Sequence, residues 1–401
     1  MEKQKKIIII GAGILQVPAI IKAKQMGLYV YAQDMDPNAP GFKLADNTIQ
    51  LSTNDIENSV NKALQLMPDA VMTLASDMPI RTVAAIGEKC GLSTISTKTA
   101  LNATDKGRMR SQLNKYGVPI PRFFIASSFE KYMDAASHFA GKFIVKPADN
   151  SGSRGVYLTD QTSDLTEVYH YVKEHSRSGD ILVEEFMVGP EVSVETMTVN
   201  GVTHVVSITD KLTTGAPHFI EMGHSIPSQL PLKLQDEIIN VAISGINALG
   251  VEVGPAHTEI IVTEEGPKIV EIGARLGGDN ITTHLVPLAT GVNMVEWSIR
   301  LAIGENVEIS PNQHKGAAIR YLKSAEGILE DVQNVQEAKA MEGIKEIAFT
   351  KRIGDTITAV NSSTDRIGFV IAQGDLPLEA IEKCEKASTL IKINVSNNGE
   401  D

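Results

Sequence analysis

The stretch Ala256-His257-Thr258-Glu259-Ile260-Ile261-Val262-Thr263-Glu264-Glu265-Gly266-Pro267-Lys268-Ile269-Val270-Glu271-Ile272-Gly273-Ala274-Arg275 reads as two strands, Ala256 to Val262 and Pro267 to Ile272, joined through the tight turn Glu264-Glu265-Gly266. In antiparallel pairing about that turn, Glu259 and Glu271 fall nearly opposite each other and share a face a few ångströms apart. Two such carboxylates repel unless a cation lies between them. Mg²⁺, a hard ion that prefers carboxylate, water and phosphate oxygens, is the natural occupant. The plain alternative is a pair of exposed acids on a surface hairpin, but the apolar flanks Ile260-Ile261-Val262 and Ile269-Val270 favour a buried sheet. Arg275, just past Glu271, offsets the local charge and suits a transferring phosphate.

Upstream, Phe143-Ile144-Val145-Lys146-Pro147 is a strand with a lysine at its end, followed by the loop Asp149-Asn150-Ser151-Gly152-Ser153-Arg154-Gly155-Val156. The amides and hydroxyls of Ser151 and Ser153 suit phosphate oxygens; an ordinary flexible hairpin is the bland counterpart. A lysine whose stem is desolvated, as at Lys146, points to anion binding. Thr104-Asp105-Lys106 opens a helix through Leu113, which Pro119 and Pro121 stop. Ser163 to Glu174 is a helix and Ile181 to Phe186 a strand; Val192 to Val199 and His204 to Thr209 pair around the turn Asn200-Gly201. Leu232 to Leu249 is a long helix ending at Gly250.

The first hundred residues alternate short apolar runs with helical stretches. Lys6 to Gly11 is a fully buried strand, Ile14 to Met26 a helix, and Leu28 to Ala32, Thr48 to Leu51 and Ala70 to Leu74 further strands, so this part is a parallel doubly wound domain. Gly11-Ala12-Gly13-Ile14-Leu15-Gln16 is nearly a dinucleotide fingerprint, with Asp34 where a ribose acid would stand, but Gln16 replaces the third glycine. A turn that merely packs strand on helix is the competing account. After Pro311 the chain is rich in glycine and short strands to about Ile393, and Asn394 to Asp401 reads as a frayed tail.

The 401 residues carry 37 basic and 49 acidic side chains, a net charge of −12, and two cysteines. That balance argues against nucleic-acid or anionic-membrane partners, whose footprint is a basic surface. No run reaches the ~18–20 apolar residues of a membrane span. Cys90 and Cys384 make neither a disulfide framework nor a thiolate metal site, which implies a reducing, cytoplasmic compartment. The basic and apolar amino terminus imitates a signal peptide, yet Gln16, Lys22 and Lys24 stand where a cleavage site belongs.

Taken in order, these features resemble the ATP-grasp superfamily of carboxylate–amine ligases. The resemblance implies an α/β chain, α+β in the clamp: a Rossmann-like domain over 1–100, a two-lobed ATP-grasp domain over 101–308 with its small lid lobe at about 120–190, and a small α+β cap over 309–401. It implies ATP and Mg²⁺, with Lys106 and Lys146 on the phosphates and Asp149 to Val156, including Ser151, Ser153 and Gly155, as the lid. Glu184-Glu185-Phe186-Met187 is similar to the adenine hinge, with Glu184 near the exocyclic amine. Glu191 matches the ribose acceptor, Glu259 and Glu271 the Mg²⁺ ligands, and Arg275 the arginine at the reacting phosphate. The family's Glu-x-Asn-x-Arg is here Glu271-Ile272-Gly273-Ala274-Arg275, so the asparagine ligand is missing.

The segment Pro217 to Ser228 with Gly273 to Gly278 is more like the L-amino-acid ligases that make dipeptides. His218, Glu221 and His224 then become candidates for the amino-acid pocket, an acid for an ammonium and an imidazole for its proton. The expected partners are a small-molecule carboxylate and an amine, and a homodimer is the base-rate oligomer. The rivals are a phosphoribosylglycinamide-synthetase-like ligase, an NAD-dependent oxidoreductase built on Gly11 to Gln16, and a nucleotide-binding protein without catalysis.

Overall fold

A computed structural model of the chain describes residues 4–150, 154–216 and 219–396. At the amino terminus, strands Lys6–Ile10, Tyr29–Asp34, Asn47–Gln50 and Ala70–Met72 form a parallel sheet with Lys6–Ile10 inside it. The isoleucine run has no polar alternation because both faces are covered. Ile7 and Ile9 join the core of helices Val17–Gln25 and Met294–Ala302, while Ile8 and Ile10 join that of Ile56–Leu66 and Pro79–Cys90.

The first helix starts at Val17, not at Ile14: Ile14 and Leu15 are exposed, and Gln16 is buried. Its carboxamide folds back to donate to the Leu74 carbonyl at 2.6 Å and the Ser76 hydroxyl at 3.1 Å. Asp34 accepts from the Ala12 amide at 2.9 Å. The polar groups that would greet a dinucleotide are thus engaged within the turn, which packs strand on helix.

A four-stranded antiparallel sheet follows, ordered Phe123–Ala126, Ile181–Glu185, Phe143–Pro147, Tyr157–Thr159. Helices Phe129–Ser137 and Leu165–Glu174 cover it through an aromatic core that includes Tyr132, Phe139, Phe143 and Tyr169. Against it stands an eight-stranded sheet. Its order is Gly266–Gly273, Gly254–Thr263, Glu191–Val199, Val202–Thr213, Glu221–Ile226, Gly316–Tyr321, Gly368–Gly374 and Ile344–Phe349. Helix Leu232–Leu249 packs Ile238, Ala242, Ile246 and Leu249 on Val192, Val194, Ile260, Ile269 and Ile272.

Two features of this sheet differ from the sequence reading. Val202–Thr213 runs past Thr209 and carries Lys211 into the sheet. The sheet also continues beyond residue 309, since Glu221–Ile226 pairs with Gly316–Tyr321. Helix Pro377–Leu390 packs on that extension, and Thr356–Ile357, Gly327–Gln333 and Lys392–Ser396 form a small third antiparallel sheet. Asn394, expected in a frayed tail, is therefore paired, with Asp331 opposite it. No described helix is long and apolar enough to cross a membrane.

Candidate active site

The hairpin forms as its sequence dictates: Glu259 lies directly opposite Glu271, and a bulge follows Glu259. Around it are two cavities of about 540 and 500 Å³ that share Arg154, Lys211, Glu221, Glu259 and Glu271 as lining residues. The larger lies between the two antiparallel sheets. Ile144, Val156, Leu212, Ile261 and Val270 give it apolar walls, and Phe186 and Phe219 stand with ring centroids 6.1 Å apart. The hinge residues Phe186, Met187 and Glu191 line it, as do Lys106 and Lys146.

Lys146 is buried and Lys106 partly so. Lys106 donates to Glu271 at 2.9 Å and to the Asn150 carbonyl at 2.7 Å. Burial alone would lower its pKa, but Glu271, with Asp77 and Glu259 beyond it, raises it above the ordinary value. Lys146 stands 2.6 Å from Glu184, and its pKa is lowered by burial and by Arg110 and Lys106 nearby, against the pull of Glu184. An ammonium crowded by cations in a dry site is relieved by a polyanion, so a phosphate chain fits here.

Glu184, expected near the exocyclic amine of adenine, also lines this cavity. Its two oxygens are taken by Arg110 at 2.7 and 3.3 Å and by Lys146. Burial would raise its pKa, but these cations hold it down at about 2. The carboxylate is thus an anchor for Lys146. Ser151, Ser153 and His218 lie outside the described residues; Gly155 stands at the root of the lid loop, against His175 and Pro147.

Sequence reasoning missed Lys211. Its buried ammonium bonds Glu191 and lies 3.4 Å from Glu221 and 3.3 Å from Glu259. Burial would depress its pKa, yet the three acids hold it well above the ordinary value. Glu191, expected as a ribose acceptor, lines the cavity with its carboxylate already paired to this lysine. The hint in the sequence was Asp210-Lys211, charged residues that continue the strand's alternation past Thr209.

His257 was missed as well. Two residues before Glu259 on the same strand face, it binds Glu195 at 2.6 Å and lies 3.4 Å from Glu259. Against burial, Glu195 raises its pKa to about 9, so it is an imidazolium at neutral pH. Lys211 and His257 together hold Glu259 well below the carboxylate range despite its burial. Two facing carboxylates suit Mg²⁺, which takes one or two protein carboxylates and fills its shell with water and phosphate oxygens. No cluster of three or more acid, His or Cys ligands occurs among the described residues.

The smaller cavity opens toward the parallel sheet. Arg275 grips Asp77 from that domain at 2.8 and 3.2 Å, and Asp77 was not foreseen. His224 is buried, with Nε2 3.5 Å from Asp279 and Nδ1 without a partner. Asp279 is held by both arms of Arg366 at 2.8 Å, and Arg366 and His224 keep it far below its ordinary pKa despite burial. Glu221 and His224 both line this cavity.

Comparison with known proteins agrees with this geometry. The ATP-grasp domain family matches residues 139–283, and the family described as L-amino acid ligase C-terminal domain 2 matches residues 320–396. An uncharacterized protein, y4rH, of Sinorhizobium fredii is 30% identical over 308 residues, which span 76% of this chain and 63% of that protein. A formate-dependent phosphoribosylglycinamide formyltransferase of Prochlorococcus marinus is 24% identical over 97% of this chain and 98% of its own. The crystal structure of an L-amino acid ligase from Bacillus licheniformis superposes with a TM-score of 0.85, at 23% identity, covering 99% of this chain and 100% of that one.

Proposed function

We propose that this chain, which carries an ATP-grasp domain, is an ATP- and Mg²⁺-dependent carboxylate–amine ligase whose amine substrate is an amino acid. One observation carries the proposal: a cavity with apolar walls and the lysines Lys106 and Lys146 meets a polar cavity along a shared wall that holds the paired carboxylates Glu259 and Glu271. The amino-acid assignment is supported by the L-amino acid ligase C-terminal domain 2 at residues 320–396.

In this account ATP lies between the antiparallel sheets, its base among Phe186, Met187 and Phe219 and its phosphates at Lys106 and Lys146. Glu259 and Glu271 hold Mg²⁺, which when bound neutralises phosphate oxygens. A substrate carboxylate in the smaller cavity attacks the γ-phosphorus, ADP departs, and an acyl-phosphate forms. An amine then attacks the acyl carbon, phosphate leaves, and an amide results. Arg275 stabilises the negative charge at the phosphoryl group, Glu221 holds an ammonium, and His224, with Nδ1 unpartnered, takes a proton from it. Lys146 belongs with the phosphates as the lysine that must stay charged. The protein works in the cytoplasm on small molecules, without nucleic acid or membrane, and a homodimer is the base-rate oligomer.

A ribonucleotide-handling ligase is the second reading, favoured by the formyltransferase relative that aligns over 97% of this chain. Against it, the turn at Gly11 is filled by Gln16. The test is ADP release from Mg·ATP over amino acids singly and in pairs, over phosphoribosylamine with glycine, and over glycinamide ribonucleotide with formate. Release that needs two amino acids supports the proposal; release with a ribonucleotide alone would move the assignment.

A further inference from the structure

Three observations converge on the segment after strand Ala70–Met72. Ala75 has a left-handed backbone (φ +57°), a conformation L residues hold only when their surroundings impose it. Two residues on, Asp77 crosses from the parallel domain to the clamp and takes Arg275 in a two-point grip at 2.8 and 3.2 Å, with both side chains 15% exposed. Between them, Gly273 leaves little room for a side chain: a Cβ there would lie 3.0 Å from both Asp77 Oδ1 and Arg275 Cζ, so that the pair would have to give by a few tenths of an ångström. The family's asparagine would stand in that space.

We propose that Asp77 is a positioning residue that aims Arg275 at the reacting phosphoryl group, and that residue 273 is glycine because a side chain there would break this grip. A planar guanidinium held by two parallel bonds has one orientation; held by one or none, it samples many. The Rossmann-like domain thereby contributes to phosphoryl chemistry carried out in the clamp. A side chain at 273 would crowd the Asp77–Arg275 pair, and glycine leaves that ion pair undisturbed. The catalytic part of this inference rests on the ligase assignment above.

The test uses the full chain with Asp77→Asn, Gly273→Asn and the double variant. In wild-type protein the Arg275 Nε–H gives a ¹⁵N resonance protected from solvent exchange, assigned by its loss in Arg275→Lys; either single change abolishes the protection. Each single change lowers kcat about 100-fold, the scale of a misaimed catalytic group, while the KM for ATP holds. The double variant is no more than about 2-fold worse than either single one, because both remove the same grip. Losses that multiply, a kcat within about 2-fold of wild type in Asp77→Asn, or a resonance still protected in that variant would each overturn the proposal. If wild-type protein turns over no amine at all, the ligase assignment fails, and the resonance alone decides whether the grip exists.

Discussion

Lys211 shows how densely charge is arranged at the level of single residues: one buried ammonium serves Glu191, Glu221 and Glu259 at once. Lys211→Met leaves those carboxylates facing one another, and stability falls by on the order of 3–5 kcal/mol, measured by chemical denaturation, with turnover lost. Glu271→Gln has the opposite balance: the fold stands, since Glu271 is partly exposed, while turnover disappears; near-normal activity would contradict its metal role. Glu184 carries a pH signature. Its folded pKa of about 2 lies below its ordinary 4.5, so its stabilisation is present above about 4.5 and is lost as pH falls toward about 2. Glu184→Gln flattens the melting temperature across that interval, and it costs stability at neutral pH because Arg110 and Lys146 remain buried without their partner. Of these residues, Glu259 and Glu271 stood out in the sequence through spacing and flanks, and Glu184 through the resemblance. Lys211, Asp77 and His257 did not, because each has its partners on a different strand or in another domain.

At the level of elements, the hairpin was legible because its turn lies midway between two acids and the register follows from the turn. The hinge shows the same economy of backbone. Gly189 has φ +154°, and a Cβ on it would come 1.9 Å from the Val262 carbonyl, so the 186–191 segment lies on strand Gly254–Thr263 with no space between. Gly189→Ala displaces the hinge, weakens ADP binding in a calorimetric titration, and costs on the order of 1–3 kcal/mol of stability. The length of Val202–Thr213 was not legible past Thr209: polar residues at the end of a strand look like a turn unless a neighbouring strand is known to bury them. Gln16 was seen as a defect in a glycine fingerprint, but only its bonds to Leu74 and Ser76 reveal what it does there.

For the whole molecule, the alternation of elements in the first hundred residues indicated the parallel sheet, and the three-part plan was what the resemblance implied. What periodicity could not supply was the joining of the last region to the eight-stranded sheet, since strand partners almost a hundred residues apart, such as Gly223 and Arg320, are chosen by packing rather than by local pattern. That continuity gives the clamp a broad, stiff base, with the smaller cavity bounded by all three parts: Asp77 from the first, Arg275 from the second, Ser363 from the third. The central claim is that a carboxylate is activated there by phosphoryl transfer. It is tested most directly with the amino-acid pair that releases ADP, its carboxylates labelled with ¹⁸O. Transfer of one labelled oxygen into the released phosphate is the predicted result; phosphate free of label would contradict it.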